Sequence, residues 1–327
     1  VITANQKLTA LAPEAIKIFG KAGHTGWTSF PTAFSNNWWT LVSSIIMGVG
    51  IGVLAQPQLV VRFMTVKSNR ELNRAVLVGG VFILMMTGVA FVVGALTNVY
   101  FMENPSFGQI SLLAAGKKVD AIIPLYISNA MPSWFTALFM VTLLSAAMST
   151  LSSQFHAMGT SIGRDVYEKW AQGKGNTVII NKTGILVAII LSLFLAWGLP
   201  LFFEGGTAII AKGTAIFFGL CAAAFLPMFI GALYSKKITR PAALAGFWTG
   251  FLASFFWLFF VHTPVSQPLL LCKAIFGTDS VLFGTKWALV DPLFIALPLA
   301  VLATLIFSVT GKPLPENHLK RCFYGIK

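Results

Sequence analysis

The chain has 327 residues, of which 56% are hydrophobic and only 10% are charged. Soluble domains carry about 25% charged residues, so this composition excludes an ordinary water-soluble protein and makes a lipid bilayer the expected surroundings. The net charge of +13 does not indicate a nucleic-acid partner, because the basic residues lie in short loops and form no continuous stripe. The three cysteines share no close spacing, which argues against a disulfide framework and against a metal site.

The first 37 residues are polar and loop-like, and they show no signal-peptide pattern. We predict that residues 1–37 form an extracytoplasmic loop, that residues 38–310 form the transmembrane domain and that residues 311–327 form a cytoplasmic tail. Because the chain starts at Val1 and not at methionine, we expect the start of this loop to be truncated.

Seven segments are apolar enough to cross a membrane, for which a helix needs about 20 residues. Prolines interrupt some of them, notably Pro227 and Pro298, and membrane helices tolerate proline where neighbouring groups bind the freed backbone. No strand alternation stands out, so the sequence predicts an all-α membrane protein. The seven segments are residues 38–60, 76–101, 134–163, 179–203, 213–235, 241–262 and 289–310.

The lysines and arginines indicate how these segments cross the membrane. Most of the 23 basic residues lie in loops 61–75, 164–182 and 236–240 and in the C-terminal tail. Cytoplasmic loops carry the excess of Lys and Arg, so these loops are predicted to be cytoplasmic. The sequence therefore predicts a multi-pass protein of the cell membrane, with the N-terminus of this chain outside and its C-terminus in the cytoplasm.

The third apolar segment carries an unusual number of hydroxyl groups. Thr142, Ala146, Ser149, Thr150 and Ser153 recur at the spacing that places residues on one face of a helix. The predicted helix therefore has one face of hydroxyls and a small residue at mid-membrane depth.

Two interpretations of this hydroxyl face remain open from the residues alone. Small residues let helices approach each other, and Ser or Thr can bond across an interface or back to a carbonyl, so the face could serve packing. Alternatively, hydroxyls and a reachable carbonyl at Ala146 could bind a hard cation such as Na⁺. The face holds no carboxylate, which fits Na⁺ better than Ca²⁺ and argues against a proton relay.

Three sequence blocks resemble elements of one transporter family. Residues 146–153, Ala-Ala-Met-Ser-Thr-Leu-Ser-Ser, with their continuation at 161–167, resemble the signature helix of the solute:sodium symporter family. Residues 56–64, Gln-Pro-Gln-Leu-Val-Val-Arg-Phe-Met, resemble its Gln-Pro-His-x-x-x-Arg-Phe-Met element, and residues 234–246 resemble its Lys-Gly-Ala-x-x-Gly junction. The blocks occur in the family's order, and the resemblance covers about residues 38–262. This family includes sodium-coupled proline, pantothenate, monocarboxylate and sugar transporters.

The resemblance implies a fold and a sodium site. It implies the LeuT-type inverted-repeat transporter fold, with about seven transmembrane helices here, from the sixth core helix onward. The positions that match the family's sodium ligands are the Ala146 carbonyl and the Ser149 and Thr150 hydroxyls. The first repeat, which supplies the other sodium ligands, is then expected to be encoded upstream, and this chain alone is expected neither to bind Na⁺ specifically nor to transport.

The resemblance also implies that the first helix here is discontinuous and lines the solute site. Gly48, Gly50 and Gly52 would help to break this helix and expose backbone groups. Gly52, Val53 and Gln56 are the implied solute-binding residues, and Gln56 matches a position where relatives place an amide facing the solute.

The implied gate comprises Gln58 and Arg62. Gln58 departs from the family pattern, in which relatives carry His or an aromatic residue at that position. The proline-transporting branch carries bulky aromatic residues near two other positions, which are Val49 and Val53 here, and this difference disfavours proline as the solute.

We therefore predict a sodium-coupled secondary transporter that imports a small organic solute by alternating access. Monocarboxylates, amino acids, pantothenate and sugars all remain open as solutes. The alternatives are a transporter-like membrane sensor domain and a symporter that uses protons in place of sodium. The chain is not predicted to be an enzyme, because it has no His-Glu-x-x-His motif and no nucleophile–base pair. Asp291, which precedes Pro292, is interpreted as the N-cap of the last helix.

Overall fold

The computed structural model of the chain describes residues 2–57, 59–60, 65–170, 176–202, 206–311 and 313–323. Within these residues the regular structure is entirely helical, and the backbone forms no strand. In chain order the helices are α1 (Ile2–Ala10), α2 (Ala12–Phe19), α3 (Asn36–Ala55), α4 (Asn69–Glu103), α5 (Ser111–Ala114), α6 (Ile122–Ala130), α7 (Ser133–Glu168), α8 (Thr177–Phe202), α9 (Gly206–Tyr234), α10 (Arg240–Val261), α11 (Thr263–Leu269), α12 (Leu271–Phe276), α13 (Leu293–Thr310) and α14 (Glu316–Cys322).

Seven helices of the described residues are long and apolar enough to cross a membrane, namely α3, α4, α7, α8, α9, α10 and α13. The prediction of an all-α protein with seven apolar spans is thereby confirmed. The prolines do not end their helices, since α9 continues through Pro227 and α13 continues through Pro298.

The segment before the first span differs from its prediction as a loop. Residues 2–19 form α1 and α2, and Pro13 occupies the first turn of α2, where its missing N–H costs no helical hydrogen bond. The Lys7 ammonium lies 2.7 Å from the Glu103 carboxylate at the end of α4. The apolar side chains of Leu8 and Ala15 are buried, so this segment packs against the rest of its unit.

Helix α4 begins earlier than its hydrophobicity predicts. Its first residue is Asn69 and not residue 76, because the Ser68 hydroxyl caps the helix by accepting a hydrogen bond from the Glu71 amide at 3.3 Å. Residues 69–75, which are predicted as loop, thus add two polar helical turns before the apolar part of α4.

The chain divides into two compact units. The first comprises Val1–Asn37 and Val66–Leu191, and the second comprises Trp38–Thr65 and Ser192–Lys327.

In the first unit, α7 and α8 approach each other at glycines. A side chain on Gly159 would overlap Ile185, and a Cβ on Gly163 would lie 2.8 Å from the carbonyl oxygen of Ile180. A Cβ on Gly184 of α8 would overlap the carbonyl oxygen of Gly159 on α7. Gly159 and Gly163 have the four-residue spacing that lets two membrane helices pack backbone to backbone.

In the second unit, α10 packs against α9 and α13 in the same way. Gly250 leaves no room for a side chain beside the carbonyl of Ala223 on α9, and Gly246 leaves none beside Thr304 on α13. The buried residues at these contacts are small, so the three helices pack closely along their lengths.

We predict that Gly159→Ala and Gly163→Ala lower the stability of the protein by about 1–3 kcal/mol, since each added methyl group would overlap backbone atoms of α8. The measurement is the midpoint of thermal unfolding in detergent. Gly79→Ala and Gly88→Ala are matched controls on α4, where an added Cβ meets no atom within 4 Å. Equal midpoints for all four variants would show that α7 and α8 do not pack at these glycines.

Candidate functional site

The predicted sodium ligands lie together on α7. The Ser149 hydroxyl donates a hydrogen bond to the Ala146 carbonyl oxygen at 2.9 Å, and the Thr150 hydroxyl donates to the same oxygen at 3.0 Å. Three neutral oxygens therefore converge within one helical turn. All three residues are exposed on the first unit.

Bonding back to a carbonyl is common along α7, and it explains how an apolar helix carries so many hydroxyls. Thr142 donates to the carbonyl of Leu138 at 2.8 Å, and Ser153 donates to that of Thr150 at 2.9 Å. Such bonds satisfy a hydroxyl within its own helix where no water is available. Among these hydroxyls, those of Ser149 and Thr150 share one acceptor, so their two oxygens lie beside the Ala146 carbonyl oxygen.

Hydroxyl and carbonyl oxygens are the type of ligand that hard cations bind. A hydroxyl keeps oxygen lone pairs while its proton is donated elsewhere, so Ser149 and Thr150 can both act as neutral ligands. The described residues contain no group of three or more His, Cys, Asp or Glu side chains that could hold a metal ion. In the most apolar stretch of α7 no residue is buried, so the oxygens are accessible on the first unit.

The glycines of α3 do not break the helix, and that prediction is wrong. Gly50 and Gly52 both have right-handed helical backbone angles, and the helix continues to Ala55. The irregularity of α3 takes another form, since Thr40–Val49 is π-helical.

Helix α3 ends at Ala55, and Gln56 caps it immediately before Pro57. Gln56 has extended backbone angles of −69° and 121°, because the ring of a following proline disfavours the helical region. Its carbonyl then accepts hydrogen bonds from Leu59 and Val60, both at 3.0 Å. The helix is thus interrupted at Gln56, one turn beyond Gly52.

The three implied solute residues lie at this end of α3, in the second unit. Gly52 is buried, and a Cβ there would lie 2.5 Å from the Phe218 carbonyl oxygen on α9, so this glycine serves a helix crossing. Val53 is 38% exposed, whereas Gln56 is only 2% exposed. The predicted gate residues Gln58 and Arg62 lie outside the described residues.

The surroundings of Asp291 differ from what the sequence predicts. The N-cap of α13 is Pro292 and not Asp291, so that prediction is wrong by one residue, although the Asp291 carboxylate accepts a hydrogen bond from the Leu293 amide at 3.0 Å. However, Asp291 is 3% exposed, and its carboxylate also contacts glycines of α3 and α9. Burial raises the pKa of Asp291 to about 6, while the hydrogen bonds from Leu293 and Ser44 oppose that rise. The signal in the sequence was a carboxylate next to an apolar span.

We predict that Asp291 makes stability depend on pH. Its pKa of about 6 in the folded protein lies above the ordinary 3.8, so the folded state holds a proton that the unfolded chain has released. Proton binding at Asp291 therefore adds roughly 3 kcal/mol to the free energy of unfolding below about pH 4. This stabilisation is lost as the pH rises through about 6. The unfolding midpoint of the wild type, relative to that of Asp291→Asn, should therefore fall between about pH 4.5 and about pH 7.5. A difference that stays constant over this range would contradict the burial of this carboxyl group.

The chain is similar to known transporters. The model of the sodium:solute symporter family matches residues 7–250. The sodium/proline symporter 2 of Staphylococcus saprophyticus is 26% identical over 253 residues, which are 76% of this chain and 46% of that protein. The sodium/proline symporter of Staphylococcus aureus is 27% identical over 250 residues, which are 72% of this chain and 43% of that protein. The chain thus spans under half the length of these relatives. No solved structure matches it significantly.

Proposed function

We propose that this chain, which belongs to the sodium:solute symporter family, forms part of a transporter that uses a sodium gradient to import a small organic solute. The single observation that carries the sodium assignment is the convergence of the Ser149 and Thr150 hydroxyls on the Ala146 carbonyl. Sodium is here a transported ion. A symporter moves its solutes without covalent chemistry, and the family confirms the prediction that the chain is not an enzyme.

The proposed architecture is the LeuT-type inverted repeat, of which this chain supplies the part from the sixth core helix onward. The seven apolar helices and the discontinuity of α3 at Gln56 support this proposal. In that fold, solute and ion bind near the middle of the membrane, where interrupted helices offer backbone groups. The proposed solute site includes Gly52, Val53 and Gln56, and the proposed gate includes Gln58 and Arg62.

L-Proline is the solute to test first, because both relatives described above are named as sodium/proline symporters. Val49 and Val53 replace the bulky aromatic residues that the proline branch carries, so the solute class stays open to other amino acids, monocarboxylates, pantothenate and sugars. The relatives do not favour the two alternatives, a membrane sensor domain and a proton-coupled symporter.

We predict that Ser149→Ala and Thr150→Ala each raise the sodium concentration for half-maximal uptake about tenfold, which corresponds to about 1.4 kcal/mol. Each variant removes one neutral oxygen ligand and leaves the helix intact. The measurement is uptake of radiolabelled L-proline, and of one solute from each other class, by the full-length protein in proteoliposomes at varied sodium concentration.

Thr160→Ala is the matched control for these two variants. Its hydroxyl also bonds back within α7, to the carbonyls of His156 at 2.8 Å and Ala157 at 2.9 Å, but it is not a proposed ligand. If Ser149→Ala, Thr150→Ala and Thr160→Ala require the same sodium concentration, the hydroxyls serve the helix alone and the sodium assignment fails.

We also predict the sidedness of the loops. Cysteines at Lys67 and Lys237 should react with an impermeant thiol reagent only from the cytoplasm, and one at Lys117 only from outside. All three side chains are exposed, and the background should lack the exposed Cys322. A reversed pattern of labelling would refute the proposed orientation.

A further inference from the structure

The carboxyl group of Asp291 is linked to two helices of the second unit besides its own. Its Oδ1 accepts the Leu293 amide of α13, and the carboxylate also accepts a hydrogen bond from the Ser44 hydroxyl of α3. The Asp291 amide donates to the hydroxyl oxygen of Ser43 at 3.2 Å, and that hydroxyl donates to the carbonyl of Trp39. Side chain and backbone of one residue thus bind the start of α13 to α3.

Two glycines make room for this carboxylate. A Cβ on Gly48 of α3 would lie 3.2 Å from Oδ2 of Asp291, and a Cβ on Gly219 of α9 would lie 3.0 Å from Oδ1. Each carboxylate oxygen therefore lies against a helix at a point that has no side chain. A methyl group at either glycine would displace the carboxylate or the helix.

This contact adjoins the crossing of α3 and α9. Gly52 lies one helical turn beyond Gly48, and a Cβ on it would lie 2.5 Å from the Cβ of Phe218, the residue before Gly219. One turn further along, Gln56 caps the end of α3. Because α3 is continuous from Gly48 to Ala55, a displacement at the carboxylate moves the end of the helix as well.

We infer that Asp291 is a positioning residue for solute binding, whose carboxyl group fixes α3 against α9 and so sets the place of residues 52–56. The inference rests on the proposed function, because those residues belong to the proposed solute site. Asp291 acts through α3 and is not itself a solute ligand. The carboxylate accepts hydrogen bonds from the Leu293 amide and the Ser44 hydroxyl, and its two oxygens lie beside Gly48 of α3 and Gly219 of α9.

Protonation of Asp291 would alter this contact, because a carboxyl oxygen that carries a proton donates where it previously accepted. Helices α3 and α13 contain no ionisable side chain. No described Lys, Arg or His forms an ion pair with Asp291. The ionisable residues on the other elements packed around it are Lys212, Cys221 and Tyr234 on α9, Arg240 on α10, and His262, Cys272, Lys273, Asp279 and Lys286 between α10 and α13. The side chain of Lys212 lies outside those described.

The test compares Gly48→Ala, Gly219→Ala and Asp291→Asn with Gly213→Ala in the full-length protein in proteoliposomes. Gly213 is the matched control, since it lies on α9 and a Cβ there meets no atom within 4 Å. The probe is L-[³H]proline, or the solute of the panel above with the largest sodium-dependent accumulation. KM and the maximal rate per inserted transporter are measured from about pH 5 to about pH 7.5.

We expect Gly48→Ala and Gly219→Ala to raise KM about tenfold, with maximal rates within about twofold of the wild type. Gly213→Ala should match the wild type in both quantities. The KM of the wild type should change across this pH range, whereas that of Asp291→Asn should be raised and constant, because no proton then binds at the contact.

Two outcomes would overturn the inference while leaving sodium-coupled transport in place. One is a set of KM values and pH profiles that match the wild type in all variants. The other is a loss of inserted protein with unchanged KM, which would assign Asp291 to folding alone. If the wild type accumulates no solute of the panel with sodium, the proposed function fails, and this inference fails with it.

Discussion

Close approach of helix backbones is the constraint on which this structure depends. Lipid is as apolar as a leucine side chain, so membrane helices gain little by burying apolar surface against each other and associate mainly by packing. Several helix crossings are built on glycine: Gly159 faces α8, Gly250 faces the backbone of Ala223, and Gly52 faces Phe218. Many large apolar side chains of the described residues are exposed, as expected where lipid is the solvent.

A second constraint shapes the candidate site, since each polar group in an apolar medium needs a hydrogen-bond partner. On α7 the hydroxyls of Thr142, Ser149, Thr150, Ser153 and Thr160 find partners in their own helix, and two of them share the Ala146 carbonyl. Donors that are satisfied in this way still present oxygen lone pairs to a cation. The arrangement that makes the hydroxyls tolerable in lipid therefore also prepares the proposed sodium site. Asp291 meets the same demand differently, through amide and hydroxyl donors from two helices.

The sequence predicted the parts of this structure that follow from local patterns. Apolar runs of sufficient length located the seven spans, and helical spacing placed Ala146, Ser149 and Thr150 together. The sequence could not show that Gly52 packs against Phe218 instead of breaking α3, since either role calls for glycine. The sequence could not show the burial of Asp291 either, because it depends on contacts between helices far apart in the chain. The predicted first segment, 38–60, runs past the end of α3 at Ala55, because the apolar pattern continues while Pro57 holds Gln56 in an extended conformation.

We propose that sodium and solute move together and that the oxygens on α7 bind the sodium. Coupling is reciprocal, so an inward solute gradient should drive sodium inward even where no sodium gradient is present. The direct measurement is accumulation of ²²Na⁺ by proteoliposomes of the full-length protein under an imposed solute gradient, at equal sodium concentration on both sides. We expect ²²Na⁺ accumulation with the wild type and its loss in the variant that combines Ser149→Ala with Thr150→Ala. Solute-driven accumulation of protons without ²²Na⁺, or ²²Na⁺ accumulation undiminished in the variant, would contradict it.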